Sequence, residues 1–238
     1  MRTTAQNSPA GRANLTAILF RIISNARLAA SPARQRAFTG PDERTQAFAL
    51  AQCAHVDLPG KPLPPARWVE ALNALLPPAI RVLRCGYVSN NFHARLSAKG
   101  KIYRYRIWSG PVLPPFEYRR AWHIARPLDL KVMKAAAKHF VGTHDFAGFA
   151  ANRGKAENST IRTIYSVRIR QKAACITIDF YGDGFLYKMV RLIVGALVKC
   201  ALGKMRTEDV VAQLESGQLG PARFAAPAEG LFLIRVRY

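Results

Sequence analysis

Between Phe185 and Gly195 the chain reads FLYKMVRLIVG, an apolar run at helical spacing that carries two cations, Lys188 and Arg191, where a core-facing helix would have neither. Taking an unpaired charge out of water costs on the order of several kcal/mol, so a sunken Arg191 requires a carboxylate or a phosphate beside it. Any fold open to this chain has to deliver an anion to that helix.

The chain as a whole repels its own kind: 36 Lys and Arg against 14 Asp and Glu leave a formal net charge of +22. Such a field attracts polyanions and gains by releasing their counterions, which makes nucleic acid the leading partner. A merely solvated basic surface is the alternative that charge alone leaves open. With 238 residues, half of them apolar, there is material for one large core or two small ones. Cys53, Cys85, Cys175 and Cys200 are far apart, without a CxxC pair or a neighbouring His at ligand spacing, so neither a metal site nor a disulfide framework is expected. The longest apolar run, Phe185 to Leu202, is interrupted by Lys188, Arg191 and Lys199, which argues against a membrane span. These features predict a cytoplasmic protein.

Met1 to Pro41 stands apart, with arginines but no lysine and no acidic residue, a composition like that of an organellar transit peptide. From Ala49 onward, strand and helix signals alternate. Strands are expected over Cys53–Asp57, Ile80–Val88, Lys101–Trp108, Arg162–Arg170, Cys175–Tyr181 and Leu231–Tyr238. Helices are expected over Ala66–Leu76, with Trp68, Leu72 and Leu75 on a buried face, over Asp129–Phe140 with Asp129 as N-cap, from Phe185, and from Thr207. Gly142 to Asn158 reads as a loop. The class is α+β, with a largely antiparallel sheet and helices packed on one face.

Two segments carry candidate chemistry. FHARLSAKGKIYRYRI, Phe92 to Ile107, interleaves aromatics with His93, Arg95, Lys99, Lys101, Arg104 and Arg106, so that rings can stack on unpaired bases while cations hold phosphates. The alternation places Arg104 and Arg106 on one face of the strand and Tyr103 and Tyr105 on the other. VGTHDFAGF, Val141 to Phe149, brings His144 and Asp145 together, but a turn capped by Asp145 accounts for it without a metal.

Taken in order, FHARLSAKGKIYRYRI, FVGTHDFAGF, the IRTI of Ile161 to Ile164, GFLYKMVRLIVG and the closing AEGLFLIRVRY resemble the tRNA pseudouridine synthase A family, over Ala49 to Tyr238. The resemblance implies a mixed, largely antiparallel sheet, a homodimer, no cofactor and no metal, and conversion of uridine to pseudouridine in the tRNA anticodon stem and loop. It gives Tyr103 as the ring that packs on the target base and Arg191 as the partner of a nucleophilic aspartate. It also places Leu186 and Met189 in the apolar wall and Arg95 in the cleft. Phe92, His93, Lys99, Lys101 and Arg104 are expected to contact RNA.

That family carries its aspartate in a Gly-Arg-Thr-Asp-Ala-Gly-Val-His loop. Counting back from Gln52 and His55, its position here holds Arg44, within GPDERTQAF, Gly40 to Phe48. Arginine has no lone pair to offer as a nucleophile and would repel Arg191. Asp42 and Glu43 are out of register for a loop whose geometry must be tightly held. Permitted codons for Gly40 to Phe48, read one base early, encode Gly-Arg-Thr-Asp-Ala-Gly-Val. Residues 1–48 are therefore expected to form an aberrant N-terminal segment, read out of frame or serving as a transit peptide, ahead of a catalytic domain over residues 49–238. A chain of this lineage is expected to lack turnover, the alternative function being a non-catalytic tRNA-binding protein.

Overall fold

The computed structural model describes residues 15–24, 48–59, 63–151, 159–217 and 224–238. Arg44, Asp42 and Glu43 lie outside them, as does most of the 1–48 segment. Nine strands make one sheet, β1 (Leu15–Ser24), β2 (Phe48–Pro59), β3 (Ile80–Val88), β4 (Gly100–Ser109), β5 (Trp122–Ile124), β6 (Gly142–Asp145), β7 (Ile161–Lys172), β8 (Cys175–Gly182) and β9 (Leu231–Arg237). The order is β3-β1-β2-β9-β4-β8-β7-β6, with β5 beside β4. Pairing is antiparallel except between β2 and β9 and between β4 and β5, so the sheet is mixed and largely antiparallel. Four helices among the described residues complete the α+β fold: α1 (Pro65–Leu75), α2 (Leu130–Lys138), α3 (Met189–Ala201) and α4 (Thr207–Ser216).

The sheet carries two cores. The larger lies over β4, β7 and β8, where Tyr105, Ile107, Ile176, Ile178 and Phe180 are buried against α3, whose residues 192–198 are all inaccessible. Burial in β8 alternates residue by residue, the mark of a strand with one face in the core. The smaller core joins Phe20, Ile22, Ala54 and Val82 to Trp68 and Leu72 of α1. Asp129 caps α2 as expected, accepting from the amides of Lys131 (2.8 Å) and Val132 (3.1 Å). No helix among the described residues is long and apolar enough to cross a membrane.

Several expectations need correction. Leu75 is 84% exposed, because the arc of α1 that meets the sheet is centred on Leu72 and takes in Val69 and Leu76 instead. The helix expected from Phe185 begins at Met189; residues 185–188 form a turn, with Lys188 in the left-handed region at φ 58°. The loop expected from Gly142 opens with the short strand β6, whose register on β7 pairs Thr143 with Thr163. Strand β1, which the sequence pattern did not single out, lies within the 1–48 segment and pairs antiparallel with both β2 and β3.

Candidate active site

Strand β4 occupies the middle of the sheet, between β9 and β8, and its alternation sorts the site. Lys101, Tyr103, Tyr105 and Ile107 share one face. Tyr105 and Ile107 are fully covered. Tyr103 is half-buried, its ring edge-on to Phe185 with centroids 5.2 Å apart, and burial pushes its phenol up to about 12. Lys101 comes next outward. Burial lowers its pKa, and the charges of Arg95 and Arg162 lower it further, so three cations from a loop, β4 and β7 converge beyond the tyrosine.

Arg162 was not singled out in the sequence, although its place in IRTI, flanked by isoleucines on a strand, is visible there. Its Nη1 donates to the carbonyls of Ser159 (2.9 Å) and Ile161 (2.6 Å), which fixes the side chain.

Across from Tyr103, the turn Phe185–Lys188 feeds α3. Leu186 and Met189 are buried, and the Leu186 amide donates to Met189 Sδ at 3.4 Å. Arg191 follows in the first turn of α3. Its Nε donates to the Ala226 carbonyl at 2.6 Å, while the Ala226 amide donates back to the Arg191 carbonyl at 2.9 Å. The Tyr105 hydroxyl donates to the Pro227 carbonyl at 2.6 Å, so residues 224–227 are clamped between β4 and α3.

The guanidinium is half-buried, and burial lowers its pKa against the raising influence of Tyr105 and Tyr187. Among the described residues no carboxylate pairs with it. The first turn of α3 contains no acidic residue and no side-chain cap, so the positive end of the helix adds to the demand for an anion.

The remaining candidates divide. Arg95 and Lys99 are exposed beside Lys101 in sequence. His93 organises its loop: Nδ1 accepts from the amides of Arg95 (3.1 Å) and Leu96 (3.3 Å), and its ring lies 4.6 Å from that of His55. Phe92 packs on Tyr238, centroids 4.9 Å apart. These two therefore anchor the loop that presents Arg95. Arg104 points to the opposite face from Tyr103 and is held by Asp179 in a two-pronged pair, 2.6 and 2.9 Å. The structure does not bring it to the cleft.

The described chain resumes at Phe48 beside this site. Ala49 of β2, Leu233 of β9 and Tyr103 of β4 occupy one lateral row of the sheet, and Phe48 stacks on Phe232 at 4.8 Å.

A family model for tRNA pseudouridine synthases matches residues 136–238, which contain β6 to β9 and α3. The tRNA pseudouridine synthase A of Syntrophotalea carbinolica is 42% identical over 190 residues, covering 80% of this chain and 75% of the relative. The chain belongs to the tRNA pseudouridine synthase A family. Relatives of the same name from Thermoanaerobacter sp. (40% over 194 residues, 82% of this chain and 79% of the relative) and Akkermansia muciniphila (42% over 198 residues, 80% and 74%) agree. Arg191 and Tyr105, the latter two residues from Tyr103 on the same face of β4, meet on the segment Ala226–Pro227. A desolvated guanidinium at a helix N-terminus holds a carboxylate ionised, and a half-covered phenol ring offers a base an apolar face. Among the described residues no group of side chains suited to a metal ion occurs.

Proposed function

We propose that this chain binds the anticodon stem and loop of tRNA in the cleft of Tyr103, Phe185, Lys101, Arg95, Arg162 and Arg191, and that in the sequence as it stands the cleft does not convert uridine to pseudouridine. The observation that carries this reading is Arg191: a half-buried cation in the first turn of α3 for which the described residues supply no carboxylate. In a synthase with an aspartate there, the carboxylate would begin cleavage of the glycosidic bond, the freed uracil would turn, and its carbon would rejoin the ribose. A flipped target base needs a stacking face and cations for its flanking phosphates, and Tyr103 with Lys101, Arg95 and Arg162 supply both.

By the resemblance, position 44 is that of the nucleophilic aspartate, and an arginine in that role would meet Arg191 with a like charge.

The binding half is tested by competition between an unmodified tRNA transcript and one lacking the anticodon stem and loop. The intact transcript is expected to bind at least about tenfold more tightly, and equal affinity would contradict the reading. In this reading the form that binds tRNA is a homodimer.

A further inference from the structure

On the half of the sheet built from β1, β2, β3 and β9, bordering the Tyr103 cleft at Val236, the cross-strand partner of Lys101, a cavity of about 480 Å³ is lined by Arg21, Arg84 and Arg235 together with Cys53, Tyr87 and Tyr238. Among the described residues no Asp or Glu lines it. Arg21 and Arg84 are directly paired across β1 and β3, an arrangement in which like charges destabilise the ladder unless something negative lies between them. The Arg21 Nε is buried and makes no hydrogen bond. A buried donor without a partner costs about 1–3 kcal/mol. Cys53 is cross-strand from Arg21, and its thiol, raised mainly by burial, is lowered by its bond to Tyr238 and by the Arg21 charge.

Three arginines lining one hollow, two of them in forced proximity and one with a buried, unused donor, describe a site shaped for a tetrahedral oxyanion. Guanidinium groups suit phosphate because their donors come in parallel pairs. Tyr87, half exposed, adds a ring on which a base or ribose can rest. We propose that this cavity is a second phosphate site that grips the RNA backbone beyond the Lys101 edge of the Tyr103 cleft, with Arg21, Arg84 and Arg235 on the phosphate oxygens. It rests on the reading of tRNA as the partner and extends the footprint of that RNA across the β1–β3 half of the sheet.

Two measurements on the full chain test it. In thermal melts at matched ionic strength, inorganic phosphate is expected to raise the Tm over chloride. Arg84→Gln is expected to melt higher than the parent in chloride, because the like-charge pair is relieved, and to lose most of the phosphate-dependent rise. A rise of equal size in both chains overturns the site. In tRNA binding across a salt series, the Arg21→Gln, Arg84→Gln double variant is expected to bind about tenfold more weakly at 0.1 M salt and to lose about 1 to 2 from the slope of log K against log salt, as for one or two lost phosphate contacts. Arg84→Lys, which keeps the charge, is expected to keep the slope. A phosphate effect on melting with an unchanged tRNA slope overturns the RNA assignment and leaves a small-phosphate site. A parent chain that binds no tRNA at all sinks the functional reading and, with it, the RNA assignment made here, whereas good binding with identical slopes sinks this inference alone.

Discussion

At the scale of single residues, Arg104 lies on the face opposite Tyr103, as the strand alternation expects, and there it is held by Asp179 rather than turned to the cleft. Tyr103, Arg191 and Arg104 were all legible as interesting, for different reasons. Tyr103 and Arg191 are incongruous residues, a ring amid cations and a cation amid apolar neighbours, and incongruity survives folding. Arg104 looked like its neighbours, and nothing in YRYRI announces that Asp179, 75 positions away, meets it. Arg162 escaped notice for the converse reason: its value arises only when β7 is laid beside Lys101. Tyr103→Phe is expected to leave tRNA affinity within about twofold, since the ring face is retained, whereas Tyr103→Ala should cost about 1–3 kcal/mol of binding, the worth of one stacked base. Equal losses in both variants, measured by fluorescence anisotropy, would assign the effect to the hydroxyl.

The Tyr103 phenol titrates at about 12, above its ordinary 10, because burial disfavours the phenolate. For a group raised on folding, the stabilisation is complete below about pH 10 and disappears as pH climbs towards about 12. Alkaline melts of Tyr103→Phe should therefore fall less steeply than those of the parent over that interval; identical curves would show that the ring is not sequestered.

At the scale of elements, α3 is the part on which the site turns. Its length, its burial and the two cations were readable from periodicity, but its start was not, because FLYK has helical spacing while Lys188 adopts a left-handed turn. Just before that turn, Phe185 meets Tyr103, a tertiary contact that sequence spacing does not show. The other side of α3 shows how closely the 224–227 segment lies on it. A methyl group at Gly195 would collide with the carbonyl oxygen of Phe224. Gly195→Ala is expected to destabilise the protein by about 1–3 kcal/mol, as overpacking does. It should also displace the Ala226 carbonyl that holds Arg191, which a weaker affinity for tRNA in the still-folded variant would reveal; a neutral substitution would mean that the clamp on Arg191 is loose. Asp129→Ala should cost about 1 kcal/mol in denaturant unfolding through loss of the α2 cap, with no change in RNA affinity. Both capping and the β8 alternation were plain in the sequence because they depend on neighbours in the chain. The short β6 and the strand β1 were not, because they become strands only against β7 and against β2 and β3.

At the scale of the whole molecule, the charge of +22 is not evenly useful. Part of it is spent internally, Arg104 on Asp179 and Arg106 on Glu117 at 2.7 Å. Replacing Arg95, Lys99 and Lys101 with Gln is expected to flatten the salt slope of tRNA binding by about 2 to 3, near 0.9 per phosphate contact. Arg104→Gln should leave that slope alone and lower the melting temperature instead. The family kinship and the α+β class were legible because motifs in fixed order outlast local ambiguity, while the proposal on activity hinges on position 44, an arginine where the resemblance expects a carboxylate. Tritium release from tRNA labelled at carbon five of uracil reads that position directly. The chain as written is predicted to bind the tRNA and release no tritium above the protein-free rate; release that scales with protein concentration would show that some other group serves Arg191 and would contradict the account.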